Sequence, residues 1–284
     1  NGDPFATNTY SGLFNGSTYA NTGSSFDISG ESAITVQAWV KPTSSNQDSG
    51  ATIVAKGDDT NFTYRQFDMA MKDENGDGSY IYRASISTDN GFSVDTTSEA
   101  VVDEWSYLVL TYDGSTLKLY KNGILEASES VSGTINDGNS VARNFTIGDL
   151  MTNKSQYGFT GYIDEVAIWT TALTAGEIVD LYNDGEGKSA ATYSGLYAYY
   201  NFEDGDGDVI SEVSGNGPSL SVSGATFETD IPNNASIGNV SGNTDEDTAT
   251  SIDLSSYVSD VDGDDLTYNL DSNPDNGTVS LSGS

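Results

Sequence analysis

The sequence predicts an all-β sandwich carrying one short helix. Apolar residues recur with period two in many short runs, the runs are separated by clusters of Gly, Asn, Asp and Ser, and only the stretch after Thr174 has a helical pattern. Ile34, Val36, Ala38 and Val40 alternate with Thr35, Gln37 and Trp39 ahead of Pro42, as in a strand that stops at a loop. Trp105, Tyr107, Val109 and Thr111 oppose Leu108, Leu110 and Tyr112, so both faces are apolar, as expected of a central strand covered on both sides. Asn122-Gly123, between KLYK and ILEA, predicts a tight hairpin, because both central positions of a type I′ turn need positive φ. Many of the 17 Tyr and 10 Phe fall in these runs, where large rings fill the space between sheets.

The stretch GFTGYIDEVAIWTTALTAGEIVDLY, residues 158–182, predicts a buried strand running into a capped helix. Strict alternation puts Tyr162, Asp164, Val166 and Ile168 on one face and Ile163, Glu165, Ala167 and Trp169 on the other. Thr174 suits the N-cap, Glu177 completes a capping box, and Leu173 can staple onto Ile178. Ile178, Leu181 and Tyr182 give the helix one apolar side.

This stretch resembles the closing strand and short helix of laminin-G-like and pentraxin-like domains of the concanavalin-A-like lectin superfamily. The resemblance extends through SGLFNGSTYANTGSSFDISGESAITVQAWVKP, ATIVAKGDDTNF, EWSYLVLTYDGSTLKLYKNGILEAS and FTIGDL, and on to GLYAYYNFEDGDGDVISEVSGNGPSLSVSGATFETDIP, covering Thr9 to Pro232. It implies a jelly-roll β-sandwich over residues 1–232. Composition shifts after Pro232. Residues 233–284 resemble the first half of the cadherin-like, Ig-type repeats of bacterial adhesin stalks, carried by Asp245, Glu246, Asp247 and Thr248, by Asp260, Asp262, Gly263 and Asp264, and by Asn276, Gly277, Thr278 and Val279. An Ig-like sandwich takes about 100 residues, so this implies a partial module.

Lys plus Arg number 10 against 43 Asp plus Glu, a formal charge of −33 at pH 7. Nucleic acid is excluded as a partner, because binding it needs basic patches. The carboxylates fit a solvated acidic surface in a saline medium, and some of them fit convergence on Ca²⁺, which takes six to eight oxygen ligands. There is no Cys and no His, which rules out disulfides, thiolate nucleophiles, imidazole bases and ordinary zinc sites. No apolar run approaches the ~20 residues that span a bilayer, so membrane insertion is not expected. The opening NGDPFATNTY has neither the basic nor the apolar region of a signal peptide, and the chain reads as a piece of a longer protein.

Three Gly-rich turns carry alternating acids: Asp73, Asn75 and Asp77; Asp204, Asp206 and Asp208; and Asp260, Asp262 and Asp264. Oxygens spaced this way let a loop curl around a cation. The first turn opens like an EF-hand loop but has Ala84 where the bidentate Glu belongs, which favours a solvated hairpin tip. For the second turn the two readings balance, and for the third the adhesin resemblance favours Ca²⁺. The pentraxin resemblance implies a further Ca²⁺ site between two loops, formed by Asp58, Asp59 and Asn61 with Asp149, Asn153 and Gln156. Asp164 is read either as a cation ligand or as an acceptor for backbone amides. Tyr64, Arg65 and Tyr157 flank these loops as candidate ligand contacts, Tyr rings being able to stack on sugars.

Enzymes of this sandwich that cleave polysaccharides set paired carboxylates on one strand face. Asp103-Glu104 and Asp164-Glu165 are adjacent pairs, expected on opposite faces. The expectation is a non-catalytic, calcium-dependent carbohydrate-recognition module, monomeric within a longer multidomain chain. It would serve a secreted or surface bacterial adhesin and bind a glycan or cell-surface ligand. The alternatives are a structural spacer, a protein- or peptide-binding module, and an accessory module of a polysaccharide-degrading enzyme.

Overall fold

The computed structural model describes residues 8–22, 26–57, 65–73, 75–88, 92–136, 144–150, 157–232, 236–237 and 258–259. The chain divides into two units, Asn1–Pro232 and Asn233–Ser284.

Strands of the first unit are β1 (Ser11–Asn15), β2 (Tyr19–Asn21), β3 (Ile34–Pro42), β4 (Thr52–Lys56), β5 (Phe67–Asp73), β6 (Tyr80–Ile86), β7 (Phe92–Glu99) and β8 (Ser106–Tyr112). They continue as β9 (Thr116–Lys121), β10 (Ile124–Ser130), β11 (Phe145–Ile147) and β12 (Thr160–Trp169), then helix α1 (Ala175–Tyr182), then β13 (Leu196–Tyr200), β14 (Val209–Ile210), β15 (Leu220–Ser223) and β16 (Thr226–Glu228). One sheet has the order β10-β9-β8-β3-β12-β1-β16, with β13 also pairing β12; the other has the order β14-β15-β2-β11-β4-β5-β6-β7. Neighbours far apart in sequence, paired antiparallel in two facing sheets, give the jelly-roll sandwich that the sequence predicts.

Between the sheets lies one apolar core. Val36, Ala38 and Val40 of β3 meet Leu108, Leu110 and Tyr112 of β8 there, as their period requires. Phe26, Phe145 and Tyr200 stack through it, with centroids 4.7 Å and 5.7 Å apart. The opposite residues of the same strands, Trp39, Tyr107 and Val109, join Trp169, Ile178 and Leu181 in a second core beneath α1. The Asn122-Gly123 turn has φ of 51° and 76°, and Lys121 pairs with Ile124 across it, the tight hairpin expected.

The helix is held as its sequence dictates. Thr174 Oγ1 accepts from the Glu177 amide at 3.3 Å, and Glu177 Oε2 accepts from the Thr174 amide at 2.7 Å. Leu173 and Ile178 bury together, and Tyr182 stacks over Trp39 and Tyr107. Thr174→Ala should cost about 1 kcal/mol in urea denaturation, since it removes one capping bond and unseats Glu177. A midpoint equal to wild type would show that packing alone sets the helix.

Strand β12 departs from strict alternation. Ile163, Val166 and Ile168 all line the inter-sheet core while Ala167 and Trp169 face α1, and the β12–β3 register shifts between Asp164 and Ala167. Glu165 has φ of 52°. This is a β-bulge, in which one extra residue is accommodated by left-handed backbone. Asp164 and Glu165, expected on opposite faces, therefore both point to the outer, helix-side face: Asp164 pairs with Trp39, and Glu165 reaches Tyr199, both members of the second core. The bulge sits where β12 changes neighbours, from β1 at Gly12↔Ile163 to β13 at Val166↔Tyr200.

In the second unit, β17 (Ser236–Ile237) and β18 (Val258–Ser259) pair antiparallel. The rest of the expected Ig-type module lies outside the described residues. No helix among the described residues is long and apolar enough to cross a membrane.

Candidate functional site

Of the two loops implied to share a cation, Asp58, Asp59, Asn61, Asn153 and Gln156 lie outside the described residues, as do Tyr64 and the turn of Asp260, Asp262 and Asp264. The strands that carry the loops are described. β4 and β11 are antiparallel, with Lys56 opposite Phe145 and Val54 opposite Ile147. Lys56 and Ile147, the last residues of the two strands, thus stand at opposite ends of a three-residue pairing.

Asp149 is buried beyond the end of β11. Arg65 is buried too, its Nη1 3.3 Å from Asp68 Oδ2, and the half-buried Tyr157 lays its ring against Gly50. In the turn after β13, Asp204 accepts from the Ser211 amide at 2.8 Å and from its hydroxyl at 2.6 Å, closing the loop, while Asp206 and Asp208 are exposed. Asp73 accepts from the amides of Asn75, Gly76 and Gly78, so its carboxylate serves its own turn, as a solvated hairpin tip would have it. Among the described residues no three His, Cys, Asp or Glu side chains gather closely enough to hold a metal by themselves.

The bulge of β12 builds the most unusual electrostatic site of the described residues. Asp164 is 0% exposed and Glu165 3%. Asp164 Oδ1 accepts from the Glu165 amide at 2.8 Å and Oδ2 from Asn8 Nδ2 at 2.9 Å. Glu165 Oε2 accepts from the Tyr199 hydroxyl, and its carbonyl from Gln37 Nε2 at 3.1 Å. Glu203 stands at the far side of the break between β1 and β13, its Oε1 accepting from the amides of Thr9 and Tyr10 at 2.8 Å and 3.0 Å. The Oδ1 of Asn8 is buried and has no hydrogen-bond partner.

None of the ion pairs among the described residues includes either buried acid. Burial, and then the neighbouring Glu165 charge, holds the Asp164 carboxyl well above the usual carboxylate range. Burial also pushes Glu165 up to about 8, with the Glu203 charge adding and the Tyr199 hydroxyl opposing. The Tyr199 and Tyr107 hydroxyls are raised by burial and by the Glu165 charge.

Sequence period singled out Asp164 but missed its partners. Asn8 lies 156 positions away, and the bulge that turns Glu165 to the same face leaves no mark in a pattern of alternating residues. Two carboxylates on one face resemble a hydrolytic pair, but these are sealed from any substrate by the residues packed over them.

Residues 14–179 match the concanavalin A-like lectin/glucanases superfamily. The chain is 29% identical over 157 residues to pappalysin-1 of Mus musculus and 27% identical over 158 residues to pappalysin-1 of Homo sapiens; each match covers 52% of this chain and 9% of the relative. The chain thus spans about a tenth of the length of these curated relatives. Among solved structures, a putative carbohydrate binding protein from Bacteroides ovatus superposes with a TM-score of 0.62 at 21% identity, covering 79% of this chain and 61% of that one. A heptameric SAP-like pentraxin from Limulus polyphemus superposes with a TM-score of 0.52 at 14% identity, covering 77% and 97%. At these identities the superpositions speak for the fold. With the family match spanning more than half of its length and the jelly-roll in place, the chain belongs to the concanavalin A-like lectin/glucanase superfamily.

Proposed function

We propose that the first unit is a non-catalytic, calcium-dependent carbohydrate-recognition module of a large secreted or surface-attached bacterial adhesin, with the second unit the start of a stalk repeat. The observation that carries the calcium part is the donor set at the β12 bulge. Asp164 and Glu165 supply two buried carboxylates and Asn8 a buried amide oxygen with no donor. These are hard oxygen ligands, which suit Ca²⁺, with waters or backbone carbonyls completing its shell. A bound cation would replace the protons that burial otherwise forces onto the pair, and would tie the segment before β1 to the closing strand.

The sugar part rests on the superfamily and on its lectin-like fold. The structural neighbour from Bacteroides ovatus, titled a putative carbohydrate binding protein, is in keeping with the same reading. The absence of His and Cys supports the non-catalytic reading, since it removes most nucleophile and base chemistry, and the Asp164–Glu165 pair is out of reach of substrate.

Glycan-array binding with and without a chelator tests this. Hits that weaken on chelation are expected, and no hit in either condition would refute the lectin reading. Calorimetric titration with Ca²⁺ should give a binding heat that Asp164→Asn abolishes; an unchanged heat would remove Asp164 from the site.

A further inference from the structure

The first unit is entered and left at one edge of its first sheet. β16 is the last strand of that sheet, and among the described residues it pairs with β1 alone, through Ser11↔Glu228, Gly12↔Phe227 and Leu13↔Thr226. β1 is held on both sides, because β12 also pairs with it from Gly12 to Asn15. The β1–β16 pair is antiparallel, so the start of β1 and the end of β16 lie side by side. Tension between Asn8 and Pro232 therefore pulls at one end of the ladder, and its hydrogen bonds, which run perpendicular to the strands, give way one after another. A ladder opened in sequence resists less than the same ladder sheared along its length.

Side chains reinforce that end. Asp230, just past β16, accepts from the Lys41 ammonium on both carboxylate oxygens, at 3.1 Å and 2.8 Å, and from the Trp105 indole N–H at 3.0 Å. Lys41 belongs to β3 and Trp105 precedes β8, strands that lie beyond β1 and β12 in the sheet order. The carboxylate thus ties the exit of the unit to strands with which β16 does not pair. The Asp230 carbonyl also accepts from Ser11 Oγ at 2.5 Å, which joins exit to entry, and Ile231 beside it is buried. The Lys41 and Asp230 side chains are only 14% and 25% exposed, so water and salt screen this pair less than one on an open surface. The entry is fastened in a similar way, by Glu203 on the amides of Thr9 and Tyr10 and by Asp164 on Asn8.

We infer that Asp230 is the clasp of an edge built to yield under tension: its bonds to Lys41 and Trp105 resist a pull across the first unit, and once they part, the segment from Gly224 to Pro232 peels away while both cores stay packed. What peels is limited by what lies behind it. β15, which ends at Ser223, belongs to the other sheet and is paired on both sides, with β14 and β2. Besides Ile231, the segment brings only the half-buried Ala225 and Phe227 to the inter-sheet core, so little packing is lost when it leaves. Roughly nine residues at about 3.4 Å each release about 30 Å of chain. The surface they vacate stays folded, which lets the segment dock again when tension falls. Neither a ligand nor a cation takes part, so the clasp works independently of the carbohydrate and calcium readings.

The chain has no Cys, so a cysteine added at each terminus gives unique handles for pulling the full chain in optical tweezers. A reversible step of about 30 Å is expected before the first unit unfolds. Asp230→Asn should lower the force of that step about twofold, because charge-assisted hydrogen bonds are roughly twice as strong as the neutral ones that Asn leaves. Lys41→Met removes the same ion pair from its other side and should reproduce the drop. Asp180→Asn is the matched control: it cancels the ion pair with Lys188 in a part of the unit that stays folded, and it should leave the step force unchanged. In bulk, Asp230→Asn and Asp180→Asn should melt within a few degrees of each other, so a loss of force confined to Asp230→Asn reports the clasp and not general weakening. Step forces equal to wild type in both Asp230→Asn and Lys41→Met, or wild-type unfolding without the early step, would overturn the inference.

Discussion

Gly158→Ala is expected to unfold the first unit or to lower its melting temperature by 10 °C or more. A Cβ at Gly158 would lie 1.8 Å from the carbonyl oxygen of Gly16 and 2.3 Å from its carbon, both backbone atoms that no rotamer change can move. The contact is part of the topology: Gly16 donates to Phe159 at 2.9 Å, and Gly158 bridges to Thr52, so the turn after β1 crosses the entry to β12 at van der Waals distance. Overpacking costs about 1–3 kcal/mol where side chains can adjust and more where the backbone must shift. For a domain above 150 residues about 1 kcal/mol moves the melting temperature by roughly 2–4 °C. Gly176→Ala is the matched control. It lies in α1 with only Thr174 Oγ1 at 4.0 Å, and it should stabilise by up to ~1 kcal/mol through helix propensity. Differential scanning fluorimetry of both variants decides the matter, and a Gly158→Ala transition within 2 °C of wild type would mean that the close crossing is absent in solution.

In chelator, the wild-type protein should lose stability as pH rises from about 4.5 toward about 8, relative to Glu165→Gln measured alongside it. The sign follows from the direction of the shift. In the unfolded chain Glu165 releases its proton near the ordinary glutamate value, whereas in the fold burial holds the proton until about pH 8. Between these values unfolding releases a proton, so stability is full below the lower value and is lost through the upper one. Asp164, raised in the same direction, steepens the loss. The charged and titratable groups that face the pair are Glu203, Tyr199 and Tyr107, none of which offers a positive charge. Glutamine keeps the shape of the protonated acid and should flatten the Glu165 part of the slope. Ca²⁺, if it binds there, should flatten the wild-type slope and leave Glu165→Gln less responsive. The difference in melting temperature between pH 5 and pH 9 should be on the order of 10 °C, as several kcal/mol of linkage implies. Parallel slopes for the two proteins in chelator would show that Glu165 titrates normally in the fold.

Much of the fold was legible from residues alone because it follows from local chemistry. Val36, Ala38 and Val40 on one side of β3 and Trp39 on the other fix which faces are buried, whatever the sheet order. Thr174 and Glu177 mark the start of the helix because only those side chains satisfy its free amides. Asn122-Gly123 marks a hairpin because two consecutive residues must take positive φ. The absence of His and Cys narrows the chemistry before any coordinate is known.

The site was less legible. Period two assumes an unbroken strand, so it placed Asp164 and Glu165 back to back, while the bulge turns both to one face. The bulge arises where β12 exchanges β1 for β13, a pairing of segments far apart in the chain. The partners Asn8 and Glu203 arrive by the same long-range route. Asp230 reaches Ser11, Lys41 and Trp105 across 219, 189 and 125 positions, and no local pattern announces it. The sequence by itself determined which residues are strand, helix and turn, and which chemistry is excluded, since these depend on neighbours within a few positions. Only the tertiary structure decided which carboxylates are buried together and which polar atoms lack partners, because burial and pairing depend on what the folded chain brings in from elsewhere.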